Sequence, residues 1–571
     1  MHTSDRLSGA GRIPGLLSII DADRGATPIL TTWDDGAYHA WTWDDWRSRS
    51  ERAAGALHAS GVRSGDAVAV LLTNGFDSCA AVVGAWLLGA HVVSLPMPPR
   101  GMDFERYQQL LGRVLDHARP AATVADQAYA SVLSGAQAEA TPTLALQALR
   151  DAPPMVGPGL ADDDIAFVQF SSGSTREPRG CVLTARAVAW QLDALAHALR
   201  IDPERDRGAV WLPMSHDMGL FGCVLLSYWT GHPLMLGDPQ RFLRNPMTWL
   251  EDCRSHGATV SAAPSFALDL VARAIGRRPA LQAGMPATMR KLVLGGEPIS
   301  THTLRTATDP ATGLGLPPEA LLPAYGLAEA TLAVTLTPVD DGVPGSLRVD
   351  AAALSRGRAG PCSAGSEQAG TDAVEVVACG RALPGVDVQI ESPKGGGDGA
   401  VGEICVRSPA LAAGYMGDDG WASRCQGGVL RTGDQGFLHD GRLYVLGRKD
   451  DMVSVGGRNL FTRDIELALS DAGAIKPGRV AVVNVGRVGT PELAAVVEDA
   501  DSRRDLRELA RELARTSFRD CGARLSSCVF VEAGMLPKTS SGKVQRHGCV
   551  ALVRAGGAGV VARVALTSEG A

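Results

Sequence analysis

Helical and strand-like patterns alternate along this 571-residue chain as far as residue 337, give way from about Val374 to short strands parted by glycine, and resume as a mixed unit beyond Arg448. Those three textures imply an α/β protein. A large N-terminal domain (1–447) is expected to hold two parallel-type α/β subdomains, about 1–160 and 161–337. An insertion at 338–373 and a small β-barrel-like subdomain at 374–447 complete it, and a small α+β domain (448–571) follows. A chain this long exceeds one ordinary core, which also argues for more than one domain.

Near the start, Thr42 and Asp45 have the spacing of a capping box for a helix carrying Trp46, Ala53 and Leu57, and Gly61 closes it before a strand at 67–72. Ala80–Leu88 reads as a buried helix leading to a buried strand at Val92–Leu95. Ile165–Phe170 reads as a strand and Thr184 as the cap of a helix with Val188, Leu192, Leu195 and Leu199 on its apolar face. Helix then strand recurs at Trp249–His256 and Thr259–Ala262, after a strand at Ala209–Leu212. Gly385–Ile390, Gly402–Arg407 and Gly441–Leu446 are the short strands of the later region. Residues 338–371 show little periodicity, and a loop of that length is uncommon unless functional or disordered.

The net charge of −7 is mild and no basic block stands out, so no nucleic-acid groove is expected. The first residues lack the apolar core of a secretion signal, and the longest apolar run, Ala80 to Pro96, is too short and too interrupted to span a bilayer. Eleven cysteines without a C-x-x-C pair indicate neither a zinc site nor a disulfide framework. Reduced thiols in the cytoplasm are expected. Lysine occurs only at Lys291, Lys394, Lys449, Lys476, Lys538 and Lys543. Arginine replaces lysine at most solvated positions but not where a compact ammonium on a flexible stem is needed, so a retained lysine carries information.

Between Phe170 and Cys181 runs a loop of hydroxyls, glycines and guanidiniums: Ser171, Ser172, Gly173, Ser174, Thr175, Arg176, Glu177, Pro178, Arg179 and Gly180. Its glycines allow close backbone approach to an anion, its hydroxyls and amides donate, and Arg176 and Arg179 add charge. The spacing is not that of a Walker loop. Such a stretch alone is as often a solvated turn. Met214-Ser215-His216-Asp217-Met218-Gly219 places a His–Asp pair at a strand end, where a satisfied structural histidine is the ordinary alternative. Gly295-Gly296-Glu297-Pro298 follows another apolar strand. Tyr325-Gly326-Leu327-Ala328-Glu329 groups an aromatic face, a close-approach glycine and a carboxylate, as base stacking and Mg²⁺ would require. Asp434, within Arg431-Thr432-Gly433-Asp434-Gln435-Gly436, has two oxygens for ribose hydroxyls, and Arg448 follows a strand nearby. Lys538-Thr539-Ser540-Ser541-Gly542-Lys543 delivers a lysine from the far end of the chain.

Taken together, in this order and at these separations, the motifs resemble those of the acyl-adenylate-forming superfamily. The resemblance runs from about Thr42 to Arg546 and is nearest to the fatty acyl-AMP ligase branch, which carries an insertion where 338–371 lies. It implies ATP and Mg²⁺ as cofactors and a mobile C-terminal lid. The Ser171–Gly180 loop would hold the β- and γ-phosphates. Tyr325, with Gly326 behind it, would stack on adenine beside Gly295 and Glu297, Glu329 would hold the metal, and Asp434 with Arg448 would take the ribose. Lys543 would bridge the attacking carboxylate and the α-phosphate, with His216 beside it. Met214, His216, Met218, Phe221, Pro264, Phe266 and Gly296 would line the pocket for a carboxylic acid.

A hinge matching Asp450 would then turn the C-terminal domain so that the acyl group passes to the phosphopantetheine arm of an acyl carrier protein supplied in trans. Either a monomer or a dimer is compatible with this. The family's pattern is departed from at Arg176, where glycine is usual, at Arg179, where lysine is usual, and at Asp450, where the branch often has lysine. An acyl-CoA synthetase using free CoA and a catalytically silent nucleotide-binding module on the same fold are the alternatives.

Overall fold

The computed structural model describes residues 13–566 apart from 21–23, 99–103, 130–131, 134, 137–140, 171–178, 278–283, 311–313, 351–352, 355, 361–372, 394, 418–419, 456–457, 472–474, 477, 487–491, 499–504, 540–542 and 558. Two large sheets form the N-terminal body. In the first, Ile165–Phe170, His91–Ser94, Ala67–Val70, Ala122–Ala125 and Thr143–Ala145 run parallel in that order. In the second, a parallel set runs from Leu321–Gly326 through Lys291–Leu294, Val260–Ala263, Gly208–Val210 and Leu234–Leu236 to Pro28–Asp34. Strands such as Ala67–Val70, Ala122–Ala125 and Val260–Ala263 are buried throughout, which is why they read as unbroken apolar runs rather than alternating ones.

The two sheets do not part at residue 160. Strand Pro28–Asp34 leaves the first 160 residues to join the second sheet beside Leu234–Leu236, while Ile165–Phe170 and Gly180–Thr184 belong to the first. One continuous core, from Leu16 to Tyr415, lies between and around them. Helix Ala185–Ala198 is buried on most of its positions there, and Gln191 reaches from it to accept the Ala333 N–H at 3.2 Å.

Local chemistry sets the element ends. The Thr42 hydroxyl accepts from the Asp45 N–H and the Asp45 carboxylate accepts from the Thr42 N–H, so the capping box forms and helix Trp43–Ala59 starts there. That helix crosses Phe76–Leu87 at Gly84, where a Cβ would lie 2.7 Å from the Ala53 Cβ and 2.8 Å from the Ala54 nitrogen. Thr184 caps Ala185–Ala198 as expected. The loop before it, however, joins two antiparallel strands: Gly180–Thr184 pairs back on Ile165–Phe170, so the chain makes a hairpin before the helix begins. Residues Ser171 to Pro178 of that loop lie outside the described residues.

A smaller antiparallel sheet follows, with Asp387–Glu391, Gly402–Arg407, Val429–His439 and Cys425–Gln426 in order and Arg442–Arg448 paired to Val429–His439. The ends of the insertion are tied down: Ser346–Asp350 pairs with Ala373–Val377, and Val349 packs in a small core with Phe437 and Tyr444. Beyond the turn Lys449–Asp451, a four-stranded sheet with helices Thr462–Asp471, Leu506–Cys521 and Arg546–Ala555 has its own cores on both faces. Gly84→Ala is expected to destabilise the N-terminal body by about 1–3 kcal/mol through overpacking. A lower urea midpoint, with the C-terminal unit unaffected, is the measurement.

Candidate active site

A cavity of about 1140 Å³ opens between the second sheet, the small antiparallel sheet and the C-terminal unit. His216, Gly295, Glu297, Tyr325, Glu329, Asp434, Arg448 and Lys543 all line it. Chain geometry explains how such distant residues converge. Strands of a parallel sheet end on one edge; Gly295 and His216 follow such ends, and Tyr325 stands near the end of Leu321–Gly326.

The Tyr325 hydroxyl donates to the Asp434 carboxylate at 2.6 Å. Asp434 lies in register with Arg448 on the neighbouring strand, and the Arg448 Nε stands 3.2 Å from its other oxygen. Burial raises the Asp434 carboxyl above the usual range while Arg448 and the tyrosine hydroxyl pull it back. Behind Tyr325, a side chain at Gly326 would run into the Leu332 carbonyl at 1.8 Å, so the position admits only glycine.

Glu329 sits in the turn Ala328–Ala330, closed by Thr331 at φ 65°, ψ −54°, with the Leu332 N–H donating to the Ala330 carbonyl at 2.7 Å. That is a γ-turn of the rare, strained hand, and the Thr331 hydroxyl anchors it to the Ala410 carbonyl at 2.7 Å. The Glu329 Oε1 accepts from the Arg424 Nη1 and from the Tyr415 hydroxyl, each at 2.7 Å. Arg424 also donates to the Thr432 carbonyl at 2.7 Å, and the Arg179 guanidinium lies over the Tyr415 ring, 5.3 Å from its centroid. Arg424 and Tyr415 carry no motif signal; the pairing of Gly414–Tyr415 onto Gly180–Thr184 brings Tyr415 here, and Arg424 comes from the short helix Trp421–Arg424. Among the described residues Glu329 Oε2 accepts no hydrogen bond. One carboxylate oxygen left for coordination beside room for phosphates suits Mg²⁺, which takes one or two carboxylates and keeps its other positions for phosphate and water.

His216 stands at the head of a short helix, Asp217–Gly219, that runs into a π-helical turn at Leu220–Leu225. A Cβ at Gly219 would lie 2.2 Å from the Pro213 carbonyl oxygen, which explains the glycine. Burial drives the His216 imidazole down to about 4, with Asp217 pulling it up and Lys543 pushing it further down. It is therefore neutral at pH 7. Gly296 adopts φ 78°, and Glu297 next to it accepts the Phe266 N–H at 2.6 Å, so its carboxylate serves the backbone as well as the cleft.

Of the residues expected in the acyl pocket, His216, Met218, Pro264, Phe266 and Gly296 line the cavity, and Met214 and Phe221 do not. Met214, in the turn ahead of the helix, is fully buried against the Cys79 sulfur, and Phe221, within the π-helical turn, packs edge-on to Phe167 at 5.3 Å. Gly222 lines the cavity from that turn instead. Ser171, Ser172, Gly173, Ser174 and Thr175 are outside the described residues; Arg179 lines the cavity and Gly180 is buried. Asp450 is exposed in the turn Lys449–Asp451 at the start of the C-terminal unit.

AMP-binding enzymes match this chain over residues 22–416. The chain belongs to that family. It is 32% identical over 576 residues to the long-chain-fatty-acid–AMP ligase FadD32 of Mycolicibacterium smegmatis, covering 91% of this chain and 90% of that one. It is 31% identical to the long-chain-fatty-acid–AMP ligase FadD26 of Mycobacterium marinum, covering 90% and 92%. Among solved structures, one described as a fatty acyl-adenylate ligase from E. coli or L. pneumophila superposes with a TM-score of 0.84 at 27% identity, over 94% of this chain and 97% of that one.

Two outcomes test the electrostatics of this AMP-binding enzyme's cleft. The His216 imidazole resonance should titrate near pH 4; since the unfolded state binds this proton near 6.5, the stability due to neutral His216 should fall as pH drops from about 6.5 to 4. Arg424→Met should cost on the order of 2–3 kcal/mol. That is below the figure for a fully buried broken pair, because the Arg424 and Glu329 side chains keep 21% and 11% exposure. Adding Glu329→Gln should recover part of the loss in a double-mutant cycle read by thermal unfolding.

Proposed function

We propose that this chain is an ATP-dependent acyl-AMP ligase that activates a carboxylic acid and then loads it onto a carrier protein. A carboxylate oxygen of the acid attacks the α-phosphorus of ATP, the α–β phosphoanhydride bond breaks, and pyrophosphate leaves with the bonding electrons. Acyl-AMP remains. The observation that carries this reading is the position of Lys543, brought by the C-terminal unit into the same cavity as Tyr325, Glu329 and Asp434. An ammonium there meets charge that grows on the α-phosphate in the transition state.

Asp434 and Arg448 would hold the ribose, Tyr325 the base, and Arg179 with the loop from Ser171 to Gly180 the departing phosphates. Glu329 would hold Mg²⁺, which when bound neutralises phosphate charge. Neutral His216 adds no positive charge beside Lys543, and the apolar wall at Met218, Pro264 and Phe266 suits an aliphatic or aryl acid. In the second step a thiolate sulfur of phosphopantetheine attacks the acyl carbonyl and AMP leaves. The relatives named long-chain-fatty-acid–AMP ligases support the fatty acyl class. The enzyme would work in the cytoplasm as a monomer or dimer, its carrier supplied by another protein. Its mostly buried free thiols suit that reducing compartment, and no helix among the described residues is long and apolar enough to cross a membrane.

Acid-dependent pyrophosphate release by the purified protein is the direct test, and Lys543→Ala should lower it by about 10²–10³-fold. Offering CoA or a holo-carrier to the acyl-AMP formed separates the two acceptors. Rapid acyl-CoA formation would overturn the carrier assignment, and pyrophosphate release unchanged by Lys543→Ala would overturn the mechanism.

A further inference from the structure

Lys543 is useful in the cleft only while the C-terminal unit is held against the N-terminal body, and one contact across that boundary has the chemistry to hold it. Arg463, at the start of helix Thr462–Asp471, donates from Nη2 to the Pro298 carbonyl at 2.6 Å, across 165 residues of sequence. Pro298 follows Glu297, whose half-buried carboxylate feels the positive charge of both Arg463 and Lys543. A single corner of the N-terminal body thus receives two cations of the C-terminal unit, one through a hydrogen bond and both through charge.

The docking point is coupled to the lysine by short, rigid pieces. Glu466, one helical turn after Arg463, accepts from Arg546 Nη1 at 2.5 Å and Nη2 at 3.3 Å. Arg546 also donates to the Val482 carbonyl at 3.0 Å, and its Nε stands 3.0 Å from Asp451, beside the hinge position Asp450. Three residues before Arg546 is Lys543, whose own backbone is pinned by Thr539: the Thr539 N–H donates to the Lys543 carbonyl at 2.7 Å, and the Lys543 N–H to the Thr539 hydroxyl at 3.1 Å.

We propose that Arg463 is the positioning residue that docks the C-terminal unit for adenylation, setting Lys543 through Glu466 and Arg546 and releasing it for the thiol step. This rests on the acyl-AMP ligase reading above. Release is built into the contact. Arg463 Nη1 is buried without a hydrogen-bond partner, so the guanidinium is held by one good bond rather than by a two-bond clamp on Glu297. Docking that strong selects an orientation without trapping it.

The full chain, Arg463→Met and Arg463→Lys should be compared in the two half-reactions separately. Arg463→Met is expected to slow acid-dependent pyrophosphate release about ten- to a hundredfold, the range for one charge-assisted hydrogen bond lost from the productive orientation, with KM for ATP little changed. Transfer from preformed acyl-AMP to holo-carrier should stay at the wild-type rate, and Arg463→Lys should recover most of the loss. Equal loss in both half-reactions, or wild-type pyrophosphate release by Arg463→Met, overturns the proposal. A wild-type protein that releases no pyrophosphate with any acid defeats the ligase reading instead. Docking is then still read by small-angle scattering, where Arg463→Met should enlarge the radius of gyration and an unchanged radius overturns the role.

Discussion

Two buried carboxylates lining one cleft, each answered by an arginine, are the constraint on which the cleft depends. Glu329 and Asp434 are each only 8% exposed, and a carboxylate at that depth is costly unless a cation and hydrogen bonds meet it. Arg424 answers the first and Arg448 the second. Asp434 and Arg448 share the small antiparallel sheet, whereas Arg424, on the short helix leading into that sheet, answers Glu329 of the body, so the sheet cannot leave without stranding the Glu329 charge. The strained turn at Thr331 belongs to the same arrangement, since it turns the chain sharply after Glu329 while its hydroxyl holds the turn to Ala410. Removing the sheet would cost Glu329 its counter-charge and Tyr325 its hydrogen bond to Asp434 at once.

Much of the fold was legible because its determinants are local or periodic. The Thr42–Asp45 box, the Thr184 cap and the unbroken apolar strands follow from hydrogen-bond and burial requirements that act over a few residues. What escaped was pairing between distant segments. Nothing within Pro28–Asp34 distinguishes a strand for one parallel sheet from a strand for the other, and its choice of the second sheet erased the boundary expected near 160. The hairpin formed by Gly180–Thr184 was hidden for a related reason: five residues before a well-marked helix cap read as loop when their partner strand is not considered.

The site divides in the same way. Tyr325, Glu329, Asp434, Arg448 and Lys543 stand in motifs whose residue types suggest their chemistry, and they line one cavity. Met214 and Phe221 were expected in the pocket too, yet Met214 packs into the core from the turn ahead of the helix, and Phe221 does so from the π-helical turn at Leu220–Leu225, which changes the angular step between residues. No spacing rule built on a 3.6-residue period anticipates that. Arg424 and Arg463 lie outside the motifs read from the sequence as catalytic. Each acts through a partner more than ninety residues away, and each is seen only once the chain has folded.

Lysine scarcity sharpens the electrostatic picture and limits it. Arginine supplies most cations of the cleft, at Arg179, Arg424 and Arg448, where a planar guanidinium can bond several oxygens at once or lie over an aromatic ring. Lys543 is the cleft lysine that the proposed reaction uses, and its compact ammonium on a flexible stem fits a group that would enter and withdraw in the proposed two-step cycle. Lys291 shows that retention of lysine has a second cause: it is buried in the second sheet, 2.7 Å from Asp206 and 3.0 Å from the Arg200 carbonyl, in a space that suits a point charge and is remote in role from the cleft. A retained lysine in an arginine-rich chain therefore has more than one setting, since Lys449 is retained on the exposed turn Lys449–Asp451. Whether the setting is a core or an open cleft is decided by what surrounds it, and Lys543 shares its cavity with Arg179, Arg424 and Arg448, with the carboxylates of Glu297, Glu329 and Asp434, and with room for a polyanion.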